Sequence, residues 1–371
     1  MFTLELAPPA LTVRLKPFYI SMTINIKENE ELSLHTTFKA GGQALFFVEV
    51  FSTEELVSAV AYADKKNLEI VALGGGSNTL FKDGLHNKIV IKISIKGIEE
   101  TDVGDNVELK VGAGVPWDSL VSFSTKKGLW GLENLSSIPG LVGGACVQNI
   151  GAYGAELKDT IKEVFVYDFQ NKDFKKIPKE ECEYGYRESI FTHRPSLESS
   201  EHGGQENKKR YLIVQATFLL KKIPDPKVGY KDLRNFFGEK IPQTSEEVRE
   251  AIISIREKKF PDLKKYGTAG SFFKNPVVDM DTYERLQKEY PEMPAHAYDS
   301  KMKLSTAWIL DRVLNLKGYT EGSVSLWIDQ PLVLVNSGSK KAEDIILFYK
   351  KIKKMVFEKT GIELEEEVVI I

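Results

Sequence analysis

Residues 70–78 read Ile70-Val71-Ala72-Leu73-Gly74-Gly75-Gly76-Ser77-Asn78, a short apolar run that ends directly in three glycines and a Ser-Asn pair. Residues 70–73 have the length and apolar character of a buried strand. Upstream, 44–50 reads as a strand, and Ser52-Thr53-Glu54-Glu55 is a helix start with Ser52 as N-cap and Glu55 three residues later. The helix carries Leu56, Val57, Val60, Ala61 and Ala63 at helical spacing and ends near Asn67. Strand, helix, strand and glycine loop make an α/β opening. Successive backbone N–H groups in such a loop form an anion nest, and its glycines let a pyrophosphate approach closely. At Gly75 a positive φ is expected, which a β-branched residue would resist. The Rossmann spacing Gly-x-Gly-x-x-Gly is absent, as is the Walker lysine. A tight turn is the competing reading, although three glycines followed by Ser-Asn exceed what a turn requires.

Working outward, strand patterns dominate from Lys88: 89–95, 107–111, 164–169 and 212–220, with a helix over 120–127. Between them 131–154 is glycine-rich and reads as a ligand-wrapping segment or as a crossing between packed strands. The polar stretch 196–209 has the composition of a mobile surface loop, and 223–226, with two prolines, that of a linker. A helix is expected over 245–259, with Val248, Ile252, Ile255 and Arg256 on one side. Further helices are expected over 283–290, 306–314 and 342–360, and strands over 332–336 and 362–371. No internal repeat is evident.

A length of 371 residues allows two or three domains with real cores. The net charge of −3 argues against a general nucleic-acid binder, which would carry a basic excess. Cys146 and Cys182 can build neither a disulfide framework nor a Cys-x-x-Cys metal site, so no metal is expected and a reducing compartment is. Residues 4–26 are mildly apolar but interrupted by Pro8, Pro9, Arg14, Lys16 and Pro17, unlike a secretory signal or a membrane span. Met22 is a candidate start. The cytoplasm is the expected location.

Two further stretches bear on chemistry. In 137–154, Ser137-Ile138-Pro139-Gly140-Leu141-Val142-Gly143-Gly144-Ala145 leads to Gln148-Asn149-Ile150-Gly151-Ala152-Tyr153-Gly154. Small residues among amides, with almost no ionic side chains, suit a flat ligand such as an isoalloxazine ring. In Gly267-Thr268-Ala269-Gly270-Ser271-Phe272-Phe273-Lys274-Asn275-Pro276, small residues leave the Ser271 hydroxyl room to approach a ligand. Phe272 and Phe273 are expected to supply an apolar wall, and Lys274 and Asn275 donors for an anionic or carbonyl group. Arg187, in Tyr184-Gly185-Tyr186-Arg187-Glu188-Ser189, precedes the apolar pair Ile190-Phe191. A half-buried guanidinium there needs an anionic or carbonyl partner, and a surface ion pair with Glu183 or Glu188 is the alternative.

Taken in order along the chain, these motifs, together with Leu364-Glu365-Glu366-Glu367-Val368, resemble the UDP-N-acetylenolpyruvoylglucosamine reductase (MurB) family from about Ser33 to Ile371. Val228-Gly229-Tyr230-Lys231-Asp232-Leu233 resembles the tyrosine-bearing loop of the branch with an extra substrate-covering segment. The resemblance implies an α/β (α+β) fold: an FAD-binding domain of the vanillyl-alcohol-oxidase (PCMH) type in two subdomains, plus a third α/β domain for substrate. The expected boundaries are a 1–25 extension, subdomain 1 over 26–90 completed by 340–371, subdomain 2 over 91–222, and a substrate domain over 223–339.

The activity implied by the resemblance is NADPH-dependent reduction of UDP-N-acetylglucosamine enolpyruvate to UDP-N-acetylmuramate in peptidoglycan precursor synthesis. FAD N5 would deliver hydride and Ser271 would protonate the carbanion, with Arg187 and Glu367 at the substrate carboxylate; Glu365 is the second choice to Glu367. Glu367 would have to be protonated, since a bare carboxylate repels an enolate. The cofactor-binding set is Gly74, Gly75, Gly76, Ser77, Asn78, Thr79, Ile138, Pro139, Gly140, Gly144, Gln148, Asn149, Gly151, Ala152 and Gly154. The substrate set is Tyr186, Tyr230, Lys259, Asn275 and Gln330, with Lys259 suited to a phosphate. A monomer with no nucleic-acid partner and no membrane insertion is expected. Two readings compete: another flavin-dependent oxidoreductase of the superfamily, and an inactive nucleotide-sugar-binding relative.

Overall fold

The computed structural model describes residues 23–192 and 210–371. The 196–209 stretch and residues 1–22 of the N-terminal extension lie outside the described residues. The N-terminal part runs β1 (Ile26–Glu31), β2 (Gln43–Val50), α1 (Thr53–Lys66), β3 (Glu69–Leu73), β4 (Thr79–Leu80) and β5 (Leu85–Ile93). Four strands form a sheet in the order β1-β2-β5-β3. β5 runs parallel to both neighbours, which is the βαβ arrangement that strand, helix and strand require.

α1 starts where its cap residues dictate. Ser52 Oγ accepts the N–H of Glu55 at 3.2 Å, and the Glu55 carboxylate accepts the N–H of Phe51 at 2.6 Å, one residue before the usual capping-box partner. Asn67 ends the helix in the left-handed conformation at φ +52°. Leu56, Ala59, Val60 and Ala63 pack into one core with Val48, Val50, Ile89 and Ile91. Each of the larger aliphatic side chains contributes roughly 1.5–3 kcal/mol by its burial. β3 departs from the expected buried strand. It is the sheet's edge, so Ile70 and Ala72 stay partly exposed and line the large cavity described below.

A second sheet follows. Its elements are β6 (Ile98–Val103), β7 (Asn106–Gly112), α2 (Trp117–Lys126), α3 (Val142–Val147), β8 (Gly151–Ala152), β9 (Ala155–Glu156), β10 (Ile161–Asp168), β11 (Asp173–Pro178) and β12 (Tyr211–Lys221). The strand order β11-β10-β12-β7-β6 is antiparallel throughout. The edge strands β6 and β11 escape the sequence pattern because they are polar; such edges resist pairing with a second sheet. The glycine-rich segment 131–154 is more than a crossing: it folds into α3 and the β8–β9 hairpin.

Beyond residue 226, α4 (Lys231–Phe237) and α5 (Ser245–Lys259) lead into the C-terminal core. The helix expected over 306–314 is a short α-turn, Thr306–Trp308, that runs into a π-turn, Ile309–Val313. The helix Ala342–Thr360 buries Ile345, Phe348, Tyr349, Ile352 and Val356 against Phe272, Phe273 and Leu334, in a core that also takes in Phe38 and Leu80. Its first amides, Ala342 and Glu343, donate to Asp83 at 2.8 and 2.9 Å. The single strand expected over 362–371 is two short pairings. Glu366 lies opposite Phe273, and Val369–Ile370 runs parallel to β4. Only the last residues therefore add a strand beside the glycine loop, while the helix packs mainly in the C-terminal core. Among the described residues no helix is long and apolar enough to cross a membrane.

Candidate active site

The loop 74–78 leaves edge strand β3 and meets the second glycine segment. A Cβ on Gly75 would lie 3.1 Å from the Gly140 Cα, and one on Gly140 would lie 2.6 Å from Ser77 Oγ. The positive φ expected at Gly75 belongs to its neighbour: Gly76 sits at φ +61°, and a Cβ there would lie 2.0 Å from the His35 carbonyl oxygen. The amides of Gly75, Gly76, Ser77 and Asn78 donate to no group of the described residues, and all four residues line the cavity. Consecutive free amides on a loop without Cβ bulk are what an anionic phosphate group requires.

The cavity has a volume of about 1410 Å³, more than one drug-sized ligand usually needs. Gly74 to Thr79, Ile138, Pro139, Gly140, Gly144, Gln148, Gly151 and Ala152 all line it. So do Arg187, Tyr230, Lys259, Ser271, Asn275, Gln330 and Glu367. Three residues of the sequence-derived site do not. Asn149 is fully buried; its Nδ2 donates to Glu156 and to the Gly185 carbonyl, and its Oδ1 accepts from Lys158, so its amide is spent on the scaffold. Gly154 turns the β8–β9 hairpin at φ +82° and faces solvent. Tyr186 borders a smaller neighbouring cavity, where its hydroxyl accepts the Asn275 N–H at 3.3 Å.

Residues 271–274 form a strip held on both sides. The Phe272 N–H donates to Leu332 at 2.9 Å; on the other side Glu367 N–H donates to the Phe272 carbonyl at 2.8 Å and Lys274 N–H to that of Glu365 at 2.9 Å. Phe272 and Phe273 do not form a ligand wall. Both are buried in the C-terminal core, and the Phe272 ring lies 4.9 Å from that of Tyr349. They anchor the strip, and Ser271 at its exposed end meets the cavity with a hydroxyl that bonds to no group of the described residues.

Arg187 reaches neither Glu183 nor Glu188. Its Nε donates to Glu367 Oε1 at 2.8 Å, and Nη2 donates to the Gly151 carbonyl at 2.8 Å, from a backbone at φ +58°. Burial pushes the Glu367 carboxyl above its ordinary value, although the Arg187 guanidinium and, further off, Lys274 oppose the rise. Glu365 instead pairs with Lys274 at 2.5 Å. The Glu367 carbonyl accepts Asn78 Nδ2 at 2.8 Å and Gln148 Nε2 at 3.5 Å, so the side chain of Asn78 serves the C-terminal strand.

Toward the other end of the cavity, Tyr230 stands at the N-terminus of α4 with its ring edge-on to Tyr153, centroids 5.5 Å apart. Lys259 Nζ is held by Asp232 at 2.6 Å. Asn275 Oδ1 accepts the Thr306 N–H at 3.0 Å, which fixes the carboxamide. The sequence-derived site omits Arg256. Its guanidinium lines the cavity over the Phe260 ring at 4.3 Å, its Nε has no partner among the described residues, and burial pulls it below its ordinary value. The available signal was an arginine on the apolar side of α5, a position that costs energy without an anionic partner.

The family described as FAD binding domain matches residues 44–170, and the C-terminal domain of UDP-N-acetylenolpyruvoylglucosamine reductase matches 262–371. The UDP-N-acetylenolpyruvoylglucosamine reductase of Bdellovibrio bacteriovorus is 36% identical over 348 residues, 93% of this chain and 99% of that protein. That of Pseudomonas putida is 33% identical over 350 residues, again 93% of this chain and 99% of its relative. The crystal structure of the Thermus caldophilus enzyme superposes with a TM-score of 0.61 at 24% identity, covering 94% of this chain and 99% of that one, a likeness of fold.

Proposed function

The chain belongs to the UDP-N-acetylenolpyruvoylglucosamine reductase family, and on that premise we propose how its own residues carry the reaction. The protein is an FAD-dependent oxidoreductase that reduces UDP-N-acetylglucosamine enolpyruvate to UDP-N-acetylmuramate with NADPH. Bound FAD would supply the hydride-transfer chemistry between NADPH and the enolpyruvyl group. Every other task falls to the protein.

The amides of Gly75, Gly76, Ser77 and Asn78 would hold the FAD pyrophosphate; that they donate to no group of the described residues supports this. Arg187 and Glu367 receive the substrate carboxylate. As charge develops beside that carboxylate, the Arg187 guanidinium stabilises it, and a protonated Glu367 donates a hydrogen bond where an ionised one would repel. Ser271 Oγ–H gives its proton to the carbon that carries the charge, for which position matters more than acidity. Lys259 and Arg256 take the phosphates, Lys259 exchanging Asp232 for them, while Tyr230, Asn275 and Gln330 hold the rest of the nucleotide-sugar. The single observation carrying the reading is the Arg187–Glu367 pair on the same cavity as a serine hydroxyl that bonds to no group of the described residues.

The division into 26–90, 91–222 and 223–339 is proposed with the strand Val369–Ile370 as the part of 340–371 that completes the first unit. A monomer working in the cytoplasm, where NADPH is available, completes the proposal. The test is to add NADPH and the enolpyruvyl nucleotide to the purified yellow protein and follow both NADPH loss and product mass. Flavin that NADPH reduces but the nucleotide leaves reduced would favour another flavin-dependent oxidoreductase. A protein that stays colourless with added FAD would favour an inactive nucleotide-sugar binder.

A further inference from the structure

We infer that Lys274 and Glu365 form a charge pair that governs the proton on Glu367, Lys274 acting as a positioning residue through that carboxyl; the inference rests on the role proposed for Glu367 above. The geometry comes from the backbone. Two hydrogen bonds, Lys274 N–H to Glu365 and Glu367 N–H to Phe272, flank the antiparallel pair Phe273 and Glu366. Around that isolated bridge Lys274 lies opposite Glu365, and Glu367 follows two residues further along the same segment. The side chains follow suit: Lys274 Nζ bonds Glu365 Oε1 at 2.5 Å, and all three residues line the cavity.

The pair is asymmetric, and that makes it adjustable. The Lys274 side chain is 17% exposed while that of Glu365 is 70% exposed, so Glu365 draws the ammonium toward solvent and away from Glu367. Among the described residues, the other titratable groups facing Glu367 are the Arg187 guanidinium and the Tyr186 phenol, whose hydroxyl also accepts the Asn275 N–H. On its own strand, Glu366 is held by Lys353 of the long helix at 2.9 and 3.1 Å. Arg187 is anchored by Gly151 as well as by Glu367. Lys274 is the cation whose field at Glu367 depends on a solvent-exposed partner.

Opposite changes to the pair should therefore move the protein's alkaline limb in opposite directions. Lys274→Met removes a cation, favours protonated Glu367, and should carry the alkaline limb of substrate reduction to higher pH. Glu365→Gln releases the ammonium toward Glu367, favours its ionised form, and should move the limb to lower pH. Each shift should be roughly half a unit to one unit, and Lys274→Arg should restore the parent limb. The measurement is kcat against pH for the FAD-loaded parent and the three variants, with flavin absorbance as the check on folding. Limbs that stay with the parent while kcat falls uniformly would assign the pair a structural role and overturn the inference. So would shifts of both variants in one direction. A parent that does not turn over the enolpyruvyl nucleotide would overturn the proposed function instead, which keeps the two failures apart.

Discussion

The glycine loops at 74–78 and 140–144 and the wall bearing Ser271, Arg187 and Glu367 line one cavity, yet they are built on opposite principles. The loops work through atoms they lack. Their surface is backbone amide, and a Cβ at Gly76 or Gly140 would collide with His35 or Ser77. The wall works through groups it carries: one hydroxyl, one guanidinium and one half-buried carboxyl, each fixed by a partner in a distant segment or by a two-sided strip. The difference teaches where each half should tolerate change. A backbone-made site fails all at once when bulk is added, whereas a side-chain-made site loses one chemical step at a time.

The harshest way to break this contrast is Gly76→Val. Its Cβ would lie 2.0 Å from the His35 oxygen at a backbone of φ +61°, so the loop must rebuild and the protein should be purified without flavin. Gly75→Val should also yield apoprotein, through the 3.1 Å approach to Gly140 rather than through φ. A normal flavin absorbance in the Gly76 variant would remove the loop from the cofactor site.

Next in size is Ser271→Ala. Flavin binding and flavin reduction by NADPH should survive, while substrate reduction slows roughly 100- to 10,000-fold, the usual worth of a positioned proton donor. Stopped-flow separation of the two half-reactions checks this; equal loss in both would give Ser271 a structural part.

Glu367→Gln sharpens the contrast through pH. On the role proposed for Glu367, burial, which raises its carboxyl above the ordinary value, should keep the protonated form to higher pH, and activity should fall as pH rises through the raised value. Glutamine cannot ionise, so the variant should be slower but should lack that alkaline limb. An unchanged limb in its pH–rate profile would assign the titration to another group.

The smallest expected effect lies at the cavity's mouth, where Tyr230 is 48% exposed. Tyr230→Phe should weaken substrate binding by about 0.5–1.5 kcal/mol, one hydrogen bond's worth, with flavin reduction unaltered. Tyr230→Ala should cost more, since the packing on Tyr153 goes too. Titration of the flavin spectrum with substrate reads both, and parent-like affinity in the two variants would leave Tyr230 outside the substrate site.

What the sequence made legible follows the same division. The α/β opening could be read because caps, period and glycine loop agree, and Ser52 and Asn67 stand at the helix ends as read. The reading missed β6 and β11 because a polar edge strand carries little period-2 signal. It misjudged Phe272 and Phe273 because an aromatic pair beside a serine reads alike whether it faces a ligand or a core. Asn149 sits inside the glycine-rich motif 137–154, and its side-chain amide bonds the scaffold rather than lining the cavity. Arg187 and Glu367 are 180 residues apart. Only the family resemblance, not any local pattern, could pair them before the fold was known.

The short parallel pairing of Val369–Ile370 with β4 has a consequence in time. Asn78, the last residue of the glycine loop, donates to the carbonyl of Glu367, 289 positions further along the chain. At roughly 5–20 residues per second of synthesis, the loop waits about 15–60 s for that partner to be made. Throughout that interval β3 ends in a glycine loop whose flank is open. On the proposed cofactor role of the loop, stable capture should belong to the finished chain rather than to the nascent one, and chains stalled on the ribosome before Glu363 should remain colourless in free FAD.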